Sequence, residues 1–112
     1  MVKGTAGYSV IFFQTTGGKI PFKQWLNDLS DMRIRVAVEL RIDRILLGNL
    51  GQCKTLGSGL HELKIDVGPG YRVYLAKIGL QVILLLCAGD KKSQSKDIVK
   101  AREYLKDYKM RG

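Results

Sequence analysis

Charged and polar side chains alternate with apolar ones in the segment LHELKIDVGPGYRVY, residues 60–74. The polar set is Glu62, Lys64, Asp66, Arg72 and Tyr74. Because successive side chains of a β-strand point to opposite faces, this spacing predicts a hairpin with one apolar face and one charged face. A guanidinium offers paired donors that match a phosphate, and carboxylates and amines can transfer protons. The charged face therefore carries groups suited to acid–base chemistry on an anion.

The turn between the two strands sets which of these side chains meet. A three-residue loop at Gly68–Gly70 would place Asp66 opposite Arg72 and Lys64 opposite Tyr74. A slip of one residue would move the charges into the core, so the alternation specifies which face is buried.

Length and charge narrow the class of protein. The chain has 112 residues, 46% of them hydrophobic, which predicts one folded domain over residues 1–112. Its 19 Lys and Arg against 10 Asp and Glu give a formal charge of +9. Such a basic excess favours a polyanionic partner such as RNA, DNA or an acidic protein, and the alternative is that it serves solubility.

Several classes of site are not indicated by the sequence. The apolar run at residues 82–88 is too short to span a bilayer, and the N-terminal segment does not resemble a secretory signal. Cys53 and Cys87 lack CxxC spacing, which favours reduced thiols in the cytoplasm. One His and two Cys do not form a zinc pattern, and no phosphate-binding glycine motif is present. We expect no metal and no cofactor.

Apolar periodicity predicts seven elements that would position the charged face. The strands are predicted at residues 8–14, 60–67, 71–78 and 80–87, and the helices at 21–29, about 31–47 and about 94–109. Residues 48–59, GNLGQCKTLGSG, form a glycine-rich connector. The order β-α-α-β-β-β-α predicts an α+β domain in which two helices, paired as an N-terminal helical hairpin, pack on an antiparallel sheet.

The run ELKIDVGPGYRVYLAKIGLQVILLLCAGDKKSQSKDIVKA, together with PFKQWLNDLSD and LGNLGQCKTLGSGLHEL, resembles a known toxin family. It is similar to the phage-related, HigB-like branch of the RelE/ParE toxin superfamily, and the resemblance covers about residues 8–108. It implies a RelE-like fold of the microbial-ribonuclease type, with an N-terminal helical hairpin beside the sheet.

The resemblance also implies a function. RelE- and HigB-like toxins of type II toxin–antitoxin systems are metal-independent endoribonucleases that cleave mRNA in the ribosomal A site. The implied partners are mRNA, the ribosome and a cognate antitoxin of the helix-turn-helix type. Operator DNA would be contacted only through the antitoxin complex, and no membrane is involved. The implied location is the cytoplasm.

Metal-free RNA cleavage needs a base for the 2′-hydroxyl, cations for the phosphorane and an acid for the leaving oxygen. We expect Arg72 to bind the phosphate, although a structural salt bridge with Asp66 is the alternative. Lys64 and Glu62 are the two candidates for the base. The alternatives are an ordinary solvated lysine at position 64 and a surface ion pair at position 62.

The remaining candidates lie at the ends of the strands. Lys91 and Lys92 follow the apolar strand, where they would contact substrate, and Lys91 or Arg72 is the candidate acid. Lys54 in the glycine-rich connector is a further phosphate contact. Tyr74 would either stack on an RNA base or pack beneath the helices.

Two other functions remain open at this point. ParE-like members of the same superfamily poison DNA gyrase without nuclease chemistry. A non-enzymatic nucleic-acid-binding module would use the positive charge alone. The clustering of Glu62, Lys64, Arg72 and Tyr74 on one face favours catalysis over the binding module, and it does not distinguish a nuclease from a gyrase poison.

Overall fold

Nine secondary-structure elements make up the chain in the computed structural model, which describes residues 2–3 and 7–112. The strands are β1 (Val2–Lys3), β2 (Ser9–Phe12), β3 (Cys53–Gly57), β4 (Leu60–Ile65), β5 (Tyr71–Ile78) and β6 (Val82–Asp90). The helices are α1 (Pro21–Asp28), α2 (Met32–Leu46) and α3 (Gln94–Arg111). All seven predicted elements are present, and β1 and β3 are additional.

The six strands form one mixed sheet in the order β1-β2-β6-β5-β4-β3. Neighbouring strands are antiparallel except β2 and β6, which are parallel. The prediction of a wholly antiparallel sheet is therefore wrong. The chain between β2 and β6 is long enough to return in either direction, so no tight turn dictated how these two strands would pair.

Helices cover both faces of the sheet. One core lies under α1 and α2, where Phe22, Val38 and Ile45 pack on the sheet. A second core lies under α3, with Ala101 and Leu105 on the opposite face. Strand β6 is buried between them from Ile83 to Ala88, as its continuous apolar sequence predicts. The fold class is α+β. Because α3 covers the middle of the charged face, that face is not exposed along its whole length.

The two N-terminal helices begin where the sequence indicates. Pro21 occupies the first turn of α1, where its missing N–H is no loss. The Asp31 carboxylate accepts a hydrogen bond from the Arg33 backbone N–H at 2.9 Å and caps α2. Gly48, with φ +94°, follows the end of α2. Three residues join α1 to α2, and both helices pack against the same core.

The β4–β5 hairpin has a different register from the predicted one. Ile65 pairs with Tyr71, so five residues, 66–70, form the loop instead of three. The Gly70 N–H donates to the Val67 carbonyl at 3.0 Å and closes the turn. Lys64 consequently lies opposite Arg72, and Glu62 opposite Tyr74. The predicted Asp66–Arg72 and Lys64–Tyr74 pairs are wrong, but each residue keeps its face because the shift is two positions.

Strand β3 lies within the predicted connector. Cys53–Gly57 pairs with β4 at the edge of the sheet, with a register shift between Thr55 and Gly57. Glycine is uncommon in β-strands, but pairing with β4 stabilises a strand in this glycine-rich connector. None of the described helices is long and apolar enough to cross a membrane. The expectation about a secretory signal concerns the N-terminal residues, of which 1 and 4–6 lie outside the described residues.

Candidate functional site

Four predicted site residues line one cavity at the loop end of β4 and β5. The cavity, here named the strand cavity, has a volume of about 240 Å³. Its walls are Gln52, Cys53, Lys54, Glu62, Lys64, Arg72 and Gln94. Cross-strand pairing explains why they converge, because Lys54 lies opposite Glu62 and Lys64 lies opposite Arg72. The site is therefore built on three rigid strands and the first residue of α3.

A second depression adjoins the strand cavity at the β4–β5 turn. It measures about 330 Å³ and contains Lys64, Asp66, Arg72 and Lys91 beside the turn residues 67–70. Lys64 and Arg72 line both spaces, so the two openings adjoin at these side chains. Lys91 lines the depression, whereas Lys92 is exposed and lines neither opening.

Arg72 is half-buried between the two openings. Its Nη1 atom is shielded from solvent and has no hydrogen-bond partner among residues 7–112. The Asp66 carboxylate instead lies 3.5 Å from the Lys64 ammonium. Leaving a buried donor without an acceptor costs about 1–3 kcal/mol, and an anion in the cavity would remove that cost. The guanidinium is thus placed to bind an oxyanion.

Glu62 lies at the inner end of the strand cavity and is 6% exposed. Its Oε2 accepts a hydrogen bond of 2.9 Å from the Gln94 side-chain amide. This anchors the carboxylate toward the cationic groups of the cavity. The alternative of a surface ion pair at Glu62 is wrong, because α3 covers this position.

Gln94 is a site residue that the sequence did not indicate. Its partner lies 32 positions earlier in the chain, and a Gln at the start of a helix carries no signal for such a contact. Gln52 was likewise missed, because the connector that contains it was not predicted to join the sheet.

Tyr74 lines neither the strand cavity nor the depression beside the turn. Its side chain is fully buried and packs with Leu105 and Ala101 beneath α3. Burial and the nearby Glu62 carboxylate raise the pKa of its hydroxyl. The prediction that Tyr74 stacks on an RNA base is wrong. The alternative was packing beneath the helices, and Tyr74 does pack beneath a helix, but that helix is α3 and not one of the N-terminal pair.

The two cysteines are free thiols in poor positions for nucleophilic chemistry. Burial raises the pKa of the Cys53 thiol. Burial and the Asp97 carboxylate raise the pKa of Cys87 to about 12. Since the thiolate is the reactive form, neither side chain is activated. Within residues 7–112, no group of three or more His, Cys, Asp and Glu is placed to hold a metal ion.

The arrangement can bind a phosphodiester and move a proton. Lys54, Lys64 and Arg72 present three cations to the strand cavity, and Glu62 presents a carboxylate beside them. Lys91 lies across the second opening. A phosphate seated between the openings would contact Arg72 and Lys64, with an acceptor on one side and an ammonium on the other.

This combination defines a small α+β domain with a basic, carboxylate-containing cavity at the end of its sheet. No protein-family model matches the chain. An uncharacterized protein of Haemophilus influenzae (strain ATCC 51907 / DSM 11121 / KW20 / Rd) is 42% identical over 83 residues, which cover 74% of this chain and 84% of that protein. The chain belongs to the same family as that protein.

Proposed function

We propose that this chain is the toxin of a type II toxin–antitoxin system and acts as a ribosome-dependent mRNA endoribonuclease. The observation that carries the proposal is the unpartnered Arg72 donor in a cavity that also contains Glu62, Lys54 and Lys64. A guanidinium without an acceptor favours a phosphate ligand, and a buried carboxylate beside it favours proton transfer over simple electrostatic binding.

The proposal extends to the fold and the cellular setting. The α+β architecture is proposed to be RelE-like, of the microbial-ribonuclease type. The order of two helices followed by antiparallel strands from β3 to β6 supports this proposal. A helix-turn-helix antitoxin would neutralise the toxin in the cytoplasm and would carry it to operator DNA. The formal charge of +9 supports an association with ribosomal and messenger RNA.

The proposed reaction is a transesterification within the RNA strand. Arg72 and Lys64 bind the oxygens of the scissile phosphate. Glu62 takes the proton of the 2′-hydroxyl, whose oxygen attacks phosphorus. The bond to the 5′-oxygen breaks, and the Lys91 ammonium gives that oxygen its proton. The products are a 2′,3′-cyclic phosphate and a 5′-hydroxyl end.

Each group would contribute a measurable part of the rate. A positioned acid or base supplies about 10²–10⁴-fold. Removal of one donor that stabilises transition-state charge costs about 10²–10³-fold. Lys54 supports binding of the strand and takes no part in proton transfer.

The test compares mRNA 5′ ends in bacteria after brief induction of wild type, Arg72→Ala and Arg33→Ala. Arg33 is the matched control, because it is an exposed arginine of α2 paired with Asp31 at 3.1 Å. Wild type and Arg33→Ala should produce new 5′ ends and arrest growth. Arg72→Ala should lower cleavage by at least about 10²-fold, while thermal unfolding shows that it is folded.

Two outcomes would overturn the proposal. One is cleavage by folded Arg72→Ala at the wild-type level, which would remove Arg72 from the reaction. The other is DNA damage with intact mRNA after induction of wild type, which would identify a gyrase poison.

A further inference from the structure

A separate basic cavity lies between helix α2 and the end of strand β4. It has a volume of about 370 Å³. Its lining residues are Ala37, Leu40, Arg41, Arg44, Gln52, Lys64, Ile65, Asp66 and Val67. We name it the helix cavity. None of the roles proposed above uses Arg41 or Arg44, although both arginines face this space.

Arg41 lines the helix cavity and contacts the chain at residues 51–52. It is half-buried, and its Nη2 donates a long hydrogen bond of 3.5 Å to the Gln52 carbonyl. Gly51 allows this approach, since a Cβ at that position would lie 1.9 Å from Arg41 Nη1. Burial and the neighbouring Arg44 lower the pKa of Arg41, which is the expected effect of crowding two cations without a full set of anionic partners.

The charges that face the helix cavity favour an anion. Arg41, Arg44 and Lys64 oppose one carboxylate, that of Asp66. The Asp66 oxygen already lies 3.5 Å from the Lys64 ammonium. The two arginines therefore present a net positive charge, and their planar donors suit phosphate oxygens.

The helix cavity adjoins the proposed catalytic surface through two shared lining residues. Lys64 lines the helix cavity, the strand cavity and the depression beside the turn. Gln52 lines both the helix cavity and the strand cavity. A strand whose phosphate is bound by Arg72 would reach the helix cavity past Lys64, the cation that lines both spaces.

We propose that the helix cavity is a second phosphate subsite, in which Arg41 and Arg44 bind a phosphodiester of single-stranded RNA at a different nucleotide from the one bound by Arg72. The proposal rests on the proposed function for the identity of the strand as RNA. Two neighbouring cationic cavities fit a chain of regularly spaced phosphates, and the Lys64 side chain that they share favours one strand over an acidic protein surface.

The test measures binding of RNA that cannot be cleaved, made with 2′-O-methyl groups at every nucleotide. A dinucleoside monophosphate has one phosphate and reaches one subsite, whereas a hexanucleotide reaches both. Arg44→Gln should weaken binding of the hexanucleotide about 10-fold and should leave the dinucleoside monophosphate within about 2-fold. It should also reduce the slope of log K against log salt by about 0.7 for the hexanucleotide.

Arg33→Gln is the matched control, because it removes the same charge from the same helix outside the helix cavity. It should leave both affinities close to those of wild type. Arg41→Gln should behave as Arg44→Gln does. Because Arg41 also packs on Gly51, the thermal unfolding of Arg41→Gln is compared with that of wild type first. If Arg41→Gln is unstable, the test rests on Arg44→Gln.

Three results would overturn the subsite. Equal losses of RNA affinity in Arg44→Gln and Arg33→Gln would show that both arginines act only through the overall positive charge of the protein. An equal loss for both RNA lengths would show that Arg44 does not read a second phosphate. Unchanged RNA binding in Arg44→Gln would refute the subsite and would leave an acidic protein as the partner of this cavity. Because the readout is binding of uncleavable RNA, an inactive nuclease does not mimic any of these results.

Discussion

The hydrogen bond between Gln94 and Glu62 joins the start of α3 to the sheet, and its removal should lower stability by a measurable amount. The Gln94 amide donates to Glu62 Oε2 at 2.9 Å. Glu62 is 6% exposed, so water cannot readily replace the donor. Gln94→Ala therefore leaves a buried carboxylate with one acceptor position unfilled.

The expected size follows from the charge and burial of the two partners. A hydrogen bond to a charged group contributes about 1.5–3 kcal/mol. Gln94 is half-buried, so we expect the lower end, about 1.5 kcal/mol. For a chain of this length about 1 kcal/mol corresponds to about 4 °C in Tm, which predicts a fall of about 6 °C.

The assay is a double-mutant cycle of Gln94→Ala and Glu62→Ala, followed by urea and thermal unfolding. The coupling free energy should be about 1.5 kcal/mol. Gln24→Ala is the control, because this exposed glutamine of α1 should change stability by less than about 0.5 kcal/mol. A coupling below about 0.5 kcal/mol would refute the reasoning, since the two side chains would then contribute independently.

Two further predictions concern Gly89 of β6 and Asp97 of α3, which lie on either side of the turn between these elements. Gly89→Ala should destabilise the fold by about 1–3 kcal/mol in urea unfolding, because the added Cβ would lie 1.8 Å from the Asp97 carboxylate. Gly17→Ala is the control and should be nearly neutral, because its Cβ would meet nothing closer than 3.9 Å. Equal losses of stability in the two variants would contradict this prediction. Burial and repulsion from Asp90 raise the pKa of Asp97 above its ordinary 3.8. The native state therefore binds the proton of the Asp97 carboxyl group more tightly than the unfolded state does. This proton stabilises the fold at low pH, and that stabilisation is lost as the pH rises through the raised pKa. The stability of Asp97→Asn relative to wild type should increase from about pH 4 to about pH 7 in thermal unfolding, and a constant difference would be the contrary result.

Local patterns in the sequence predicted most of the elements and the face on which each charged residue lies. The alternation of Glu62 and Lys64 with Leu63 and Ile65 identified the two sides of β4, because side-chain period does not depend on distant contacts. The same reasoning placed Arg72 on the same face as Lys64, although not opposite it. These features needed only the period of a strand.

The features that were missed depend on contacts between distant parts of the chain. Strand β3 lies within the glycine-rich connector at residues 48–59, and pairing with β4 forms a strand that the composition of this connector does not favour. The burial of Tyr74 depends on where α3 lies, which no residue near Tyr74 specifies. Gln94 enters the site for the same reason. The register of the hairpin was missed because the turn at 66–70 uses five residues, and a Gly-Pro-Gly sequence allows more than one loop length.

The parallel pairing of β2 with β6 also determines when the molecule can fold. Ser9 pairs with Val82 and Phe12 pairs with Leu85, so partners lie on the order of 70 positions apart, and closing such long loops is the slow part of folding. During synthesis from the N-terminus, α1 and α2 emerge with Phe22 and Val38 before the strand that buries them exists. Completion of the core therefore waits for nearly the whole chain, and a nascent chain that ends before β6 leaves the apolar faces of α1 and α2 and one edge of β2 uncovered.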